Sequence, residues 1–305
     1  LMVAAFGLGG GWAAMDRAIP YSVERIQGGS PLSEKQGYTH KLIVPHVVRL
    51  EAARAYLEET ATRIDAGEGA LNTEGAIAKY MATEGGNDAA EAAIQAHGGY
   101  GYTREYMVEK IKRDVKITTI YEGTSEIMEM TIARDKWQDH LKTRGQHYHM
   151  VAQSSEQLHA SSPNVGADVA ALGMHSLAEV MEACRNQRLT RNQHVLFRLG
   201  EYIAYMESAA ALCRRAAAAA NNALPEKASR RFDADGLAAI ARVFAREAAY
   251  KVASEGLRLV RGAGDASLDV RQLEAAVRLP EIDAAQSGLL ADMDHVADVL
   301  YGRAG

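Results

Sequence analysis

The residues best placed to do chemistry lie between Ile94 and Arg134, where two glycine-rich helix boundaries flank a carboxylate. The first boundary reads Gln95-Ala-His-Gly-Gly99-Tyr-Gly101, and Gly98 and Gly99 expose backbone amides that a flat or phosphorylated ligand can approach closely. The second reads Ile120-Tyr-Glu-Gly-Thr-Ser-Glu-Ile127. Thr124 or Ser125 is a natural N-cap there, and the amides of a helix start favour anionic or acceptor groups. Glu122 sits just ahead of that helix beside Ile120 and Tyr121, a setting expected to desolvate a carboxylate and raise its basicity, as proton abstraction requires. On these grounds alone, a surface acid next to ordinary helix-ending glycines fits the same residues equally well.

Something must hold those boundaries, and the pattern around them is helical. Six prolines in 305 residues, few β-branched runs and long Ala-rich amphipathic stretches predict an all-α chain. Expected helices run from Leu1 to about Ile26, from Ser33 to Ala66 with a bend at Pro45, from Leu71 to His97, from Tyr106 to Val115, and from Thr124 to Arg144. Residues 146–164, rich in Gln, His and Ser and ending in Pro163-Asn164, read as a linker. Further helices are expected at about 165–186, 190–223, 233–262 and 281–301. The predicted architecture is two consecutive helical bundles of the four-helix, antiparallel up-down type, over residues 1–145 and 165–305.

Composition narrows the function classes. With 34 Lys plus Arg against 39 Asp plus Glu the net charge is -5, which gives no general field for nucleic acid or for an anionic membrane surface. No window approaches 18 uninterrupted apolar residues. Cys184 and Cys213 form neither a disulfide framework nor a CxxC zinc pattern, so a reducing compartment is expected: cytoplasm, or mitochondrial matrix in a eukaryote. The cluster Gly7-Leu-Gly-Gly-Gly11 lacks dinucleotide-loop spacing and reads as helix–helix packing. Asp65-Ala-Gly-Glu-Gly69 lacks the terminal Glu of a calcium loop and reads as a helix-ending turn. His140, His147 and His149 lack acidic or thiolate company and read as solvated structural residues; no metal site is expected.

Taken together, the blocks Glu24-Arg25, Gln36, Gln95 to Gly101, Tyr106-Met-Val-Glu109, Arg113-Asp114 and Ile120 to Ile127 resemble the C-terminal helical domain of the acyl-CoA dehydrogenase family, in its order and spacing from Leu1 to about Arg134. Residues 165–305 resemble the extra helical domain of its very-long-chain members. The resemblance implies an FAD enzyme that oxidises acyl-CoA to trans-2-enoyl-CoA, of fatty-acid β-oxidation type, and passes electrons to an electron-transferring flavoprotein. It implies Glu122 as the base for the α-proton and a thioester carbonyl polarised by the Glu122 backbone N–H. It places Arg25 and Gln36 near the pyrophosphate and adenosine, and Gln95, Gly98 and Gly99 on flavin across a subunit boundary. Thr124 and Glu126 would touch the cofactor and Gly123 would line the thioester. A homo-oligomer, with a dimer at its base, follows.

The chain departs from the family at Gly28, where an aromatic residue is usual. The first residue is Leu, and the family's preceding helical and β domains are expected upstream of it, so this piece alone is expected to be incomplete and inactive. Two other readings stay open: a non-catalytic helical dimerisation module, and an acyl-CoA oxidase.

Overall fold

The computed structural model describes residues 1–266 and 268–303, and the described chain is helical almost throughout. Helix α1 (Met2–Glu24) ends in a small hairpin of β1 (Ile26–Gln27) and β2 (Ser30–Pro31), paired Ile26 to Pro31 and Gln27 to Ser30. Gly28 and Gly29 make its turn with φ of +59° and +85°. Two positive φ values in succession are what a two-residue type I′ hairpin turn demands, which accounts for glycine at both positions.

The expected Ser33–Ala66 helix is two helices, α2 (Gln36–Leu42) and α3 (Val44–Asp65). Pro45 falls in the first turn of α3, where its missing N–H costs nothing, so it starts a helix instead of bending one. Gly67 and Gly69, both at positive φ, carry the chain out of α3 into α4 (Asn72–His97). Then come α5 (Val108–Lys116) and α6 (Ser125–Lys142).

Helix α1 lies along α4, and Gly7 and Gly11 let the two backbones come close. A Cβ on Gly11 would stand 2.7 Å from Gly86 Cα, and one on Gly86 would stand 2.1 Å from the Gly7 carbonyl oxygen. Backbones this close leave no room for a side chain. Trp12, Met15, Leu50, Ile77, Met81 and Ile132 fill the core around the crossing.

The segment expected to be a linker is instead largely helical. Helix α7 (His147–Ser161) packs along α8 (Ala167–Asn186) and buries Tyr148, Ala152 and Ser155. Its polar residues cover the solvent side of an amphipathic helix, a composition easily mistaken for a loop. Helices α9 (Gln193–Ala220) and α10 (Ala234–Ala263) follow, capped by the side chains of Asn192 and Asp233. In place of one terminal helix there are three, α11 (Val270–Ala276), α12 (Leu279–Ala284) and α13 (Leu289–Leu300). Arg278 and Gly288 take left-handed backbone conformations and break the run twice.

One continuous buried cluster passes through both halves. Glu207 of α9 ties them together: its carboxylate accepts from Tyr56 of α3 at 2.7 Å and Tyr148 of α7 at 3.0 Å and pairs with Lys136 of α6 at 2.9 Å. Burial alone would raise its proton affinity, but Lys136 and the two tyrosines hold the carboxyl below the usual range. His140 is fully buried, not solvated, with its Nε2 3.2 Å from Glu182. Both cysteines are buried and unpaired, and burial pushes their thiols up to about 12. No helix among the described residues is long and apolar enough to cross a membrane.

Candidate functional site

Glu122 stands at the crest of a sharp reversal. It has φ +55° and Gly123 has φ +92°, two left-handed residues in a row between a 3₁₀ turn (Ile117–Thr119) and α6. Such backbone is costly for a residue with a side chain and persists only where the surroundings impose it. Here three groups do so. Lys79 of α4 donates to the Gly123 carbonyl at 2.5 Å. Ser125 donates to the Glu84 carboxylate. Thr124 caps α6 by accepting from the Ile127 N–H at 3.4 Å. A Cβ on Gly123 would strike Met128 Cε at 2.5 Å.

The Glu122 carboxylate is exposed, so the expected desolvation is not provided by this chain. Its neighbours explain why: Ile120, Tyr121 and Ile127 are themselves 49%, 37% and 56% exposed and form an uncovered apolar rim. Glu126 is exposed as well. Its carboxyl is held below the ordinary range by the Thr124 hydroxyl, then its own backbone N–H, with Lys116 and Lys79 adding attraction.

Lys79, which holds this turn, is not among the residues the sequence singles out. It is 5% exposed, and burial lowers its proton affinity against the pull of Glu84 and Glu126. A signal existed: Ala76, Lys79, Thr83, Gly86 and Ala90 recur at helical spacing on the inner face of α4, and a lysine in that series calls for a partner.

The other predicted residues gather at the far end of α4. Arg25, Gln95, Gly98 and Gly99 line a groove of about 650 Å³. Gly98 ends α4 with φ +61°, and a Cβ on Gly101 would stand 2.2 Å from the Ile94 carbonyl oxygen, so the chain folds tightly back on the helix. The last carbonyls of α4 accept from tyrosines, Ala96 from Tyr38 at 3.1 Å and His97 from Tyr21 at 3.2 Å. Tyr21 stacks on the His97 ring at 4.3 Å, Tyr100 stacks on Tyr106 at 5.0 Å, and the Arg25 guanidinium lies 6.0 Å from the Tyr100 ring centre. Burial lowers the proton affinity of His97, whose Nδ1 bonds to the Ala93 carbonyl at 2.7 Å. A neutral ring, aromatic walls, one guanidinium and glycine amides suit a flat ligand bearing phosphates.

Gln36 is not in the groove lining. It donates from Nε2 to Asp294 of α13 at 2.8 Å. Nor do the groove and the Glu122 turn meet: Lys79 and His97 are 18 residues apart on α4, about 27 Å at 1.5 Å per residue. No cluster of described residues could hold a metal ion.

Residues 1–136 match the family model described as acyl-CoA dehydrogenase, C-terminal domain. The chain is 40% identical over 134 residues to an acyl-CoA dehydrogenase of Bacillus subtilis, covering 43% of this chain and 34% of that protein. It is 38% identical over 133 residues to the caffeyl-CoA reductase-Etf complex subunit CarC of Acetobacterium woodii, covering 44% of this chain and 35% of that protein. The chain thus spans about a third of the length of these curated relatives. A crystal structure of an acyl-CoA dehydrogenase complexed with FAD from Bacillus anthracis superposes over 99% of this chain and 55% of its own, with a TM-score of 0.73 at 17% identity. The whole described chain therefore shares that helical fold, including the part beyond the family match. Over residues 1–136 the chain is therefore similar to the C-terminal domain of acyl-CoA dehydrogenases.

Proposed function

We propose that this chain is the C-terminal part of an FAD-dependent acyl-CoA oxidoreductase and that Glu122 is its base. The observation that carries the reading is the imposed left-handed turn at Glu122 and Gly123, pinned by Lys79 and Ser125 and presenting a carboxylate at an apolar rim. Bound FAD would supply a hydride acceptor for the β-carbon. The chain's own task is the α-proton, which the Glu122 carboxylate takes from the carbon beside the thioester carbonyl, and delivers there when the reaction runs as a reduction. The Glu122 backbone N–H polarises that carbonyl. Once substrate and the rest of the enzyme cover Ile120, Tyr121 and Ile127, water leaves the carboxylate and its basicity rises.

Thr124 and Glu126 would hold the cofactor beyond the turn, with Gly123 beside the thioester. Arg25, Gln95, Gly98 and Gly99 fit the flat and phosphorylated parts of the same cofactor, but at the opposite end of α4. That separation supports a homo-oligomer in which the groove of one subunit serves the cofactor at the turn of another. The relationship to an Etf-complex subunit supports an electron-transferring flavoprotein as redox partner.

Substitution Glu122→Gln in the full-length product tests the reading. Flavin bleaching by acyl-CoA is expected to slow about 100-fold or more. A variant that bleaches at the parent rate would rule out Glu122 as base.

A further inference from the structure

The last residues of the described chain return to the first bundle and hold down one wall of the groove. Tyr301 and Ser22 share a hydrogen bond of 2.9 Å between their hydroxyls. Arg303 donates to the Ser33 carbonyl at 3.0 Å, with its guanidinium over the Tyr301 ring. Asp294 accepts from Gln36 at 2.8 Å and stands 3.1 Å from His40 Nε2. The landing points Ser22, Ser33, Gln36 and His40 bracket Arg25, Gln27, Leu32 and Tyr38, which form the wall facing the end of α4.

That wall has little to hold itself in place. It consists of a two-residue hairpin, one 3₁₀ turn and the seven-residue α2. Helices this short do not persist without tertiary support. The support is itself anchored, since Arg242 and Arg246 of α10 both grip Asp292, two residues before Asp294.

We propose that Asp294 and Tyr301 are positioning residues for the cofactor groove, coupling the second half of the chain to the Arg25–Leu42 wall that would receive the adenosine and pyrophosphate of the dinucleotide. Asp294 takes one amide hydrogen of Gln36 and so ties the first residue of α2, next to the wall, to α13. Tyr301 fixes the end of α1 from which Arg25 projects. The cofactor's identity rests on the function proposed above, whereas the coupling of α13 to the wall does not.

The test compares Asp294→Ala, Asp294→Asn and Tyr301→Phe in the full-length product by amide hydrogen exchange and by FAD affinity. Asp294→Ala and Tyr301→Phe are expected to speed exchange across residues 22–42 about tenfold, with α3 and α6 unchanged, and to weaken FAD binding by a similar factor. Asp294→Asn, which still accepts from Gln36, is expected to restore most of both. Unchanged exchange in 22–42, or faster exchange with unaltered FAD affinity, overturns the proposal. If the parent protein binds no FAD, the cofactor reading fails, and the exchange data alone decide whether α13 positions the wall. Tyr301→Phe removes a single hydroxyl, so it reports even if Asp294→Ala folds poorly.

Discussion

At the residue scale, the buried cation Lys79 is the hinge of the candidate site. Its ammonium reaches the Gly123 carbonyl from the middle of α4, and the left-handed pair Glu122 and Gly123 depends on that bond. Lys79→Met keeps the stem and its packing but leaves the carbonyl unpaired. The expected cost is about 1–2 kcal/mol in urea unfolding, and, if Glu122 acts as proposed, kcat for flavin reduction should fall more than KM changes, because the Glu122 turn is displaced while the groove is untouched. Equal loss in a variant of an exposed lysine such as Lys142 would show that charge alone mattered. The candidate residues themselves were legible because glycine, carboxylate and cap residues carry local signatures. Exposure was not legible: Ile120 and Tyr121 read as desolvating neighbours, yet they line an open rim. Lys79 was hidden because its partner is 44 residues away.

At the element scale, the α7–α8 pair shows what composition conceals. His149 Nδ1 lies 2.7 Å from His175 Nδ1, with Glu179 3.3 Å from the first ring and Glu156 3.2 Å from the second. Only one hydrogen fits between two ring nitrogens, so a second proton there is resisted. Burial lowers the proton affinity of His149, Glu179 pulls it back up, and His175 and Arg278 lower it further. A histidine whose folded value lies below its unfolded value of about 6.5 binds fewer protons when folded. Its stabilisation is therefore complete above about pH 6.5 and is lost as pH falls through the folded value. Replacing it by Gln should shrink the fall in unfolding midpoint between pH 7 and pH 5. Part of the slope should remain, since His46, His97, His140 and His147 shift in the same direction. An identical slope in parent and His149→Gln would remove His149 from the account. The long helices were readable from their periodicity, but α7 was not, because a helix packed on one side through Tyr148, Ala152 and Ser155 looks polar in sequence. The terminal region failed for the opposite reason: two left-handed residues, Arg278 and Gly288, cut an otherwise continuous helical pattern.

At the scale of the whole molecule, α6 of the first half crosses α9 of the second, and Gly200 of α9 lies against the α6 backbone. A Cβ there would stand 2.2 Å from the Glu129 carbonyl oxygen and 2.8 Å from its carbon, both backbone atoms that cannot swing away. Nothing local marks Gly200, since it sits inside a 28-residue helix in which glycine is only a cost to propensity. Its reason is the α6 backbone at Glu129, 71 residues earlier in the chain. Gly9 makes the contrast, because it is exposed within α1 and a Cβ there would meet nothing within 4 Å. The same substitution should then have opposite signs. Gly9→Ala should stabilise the chain by about 0.5–1 kcal/mol through the unfolded state, while Gly200→Ala should destabilise it by about 1–3 kcal/mol by forcing α6 from α9. Because α6 starts at Ser125 and carries the Glu122 turn at its head, displacing it should also slow flavin reduction, which Gly9→Ala should leave alone. Chemical unfolding of the two variants alongside the parent checks the signs. Stabilisation by both would mean that the α6–α9 joint is slack, and that the second half does not set the position of the Glu122 turn.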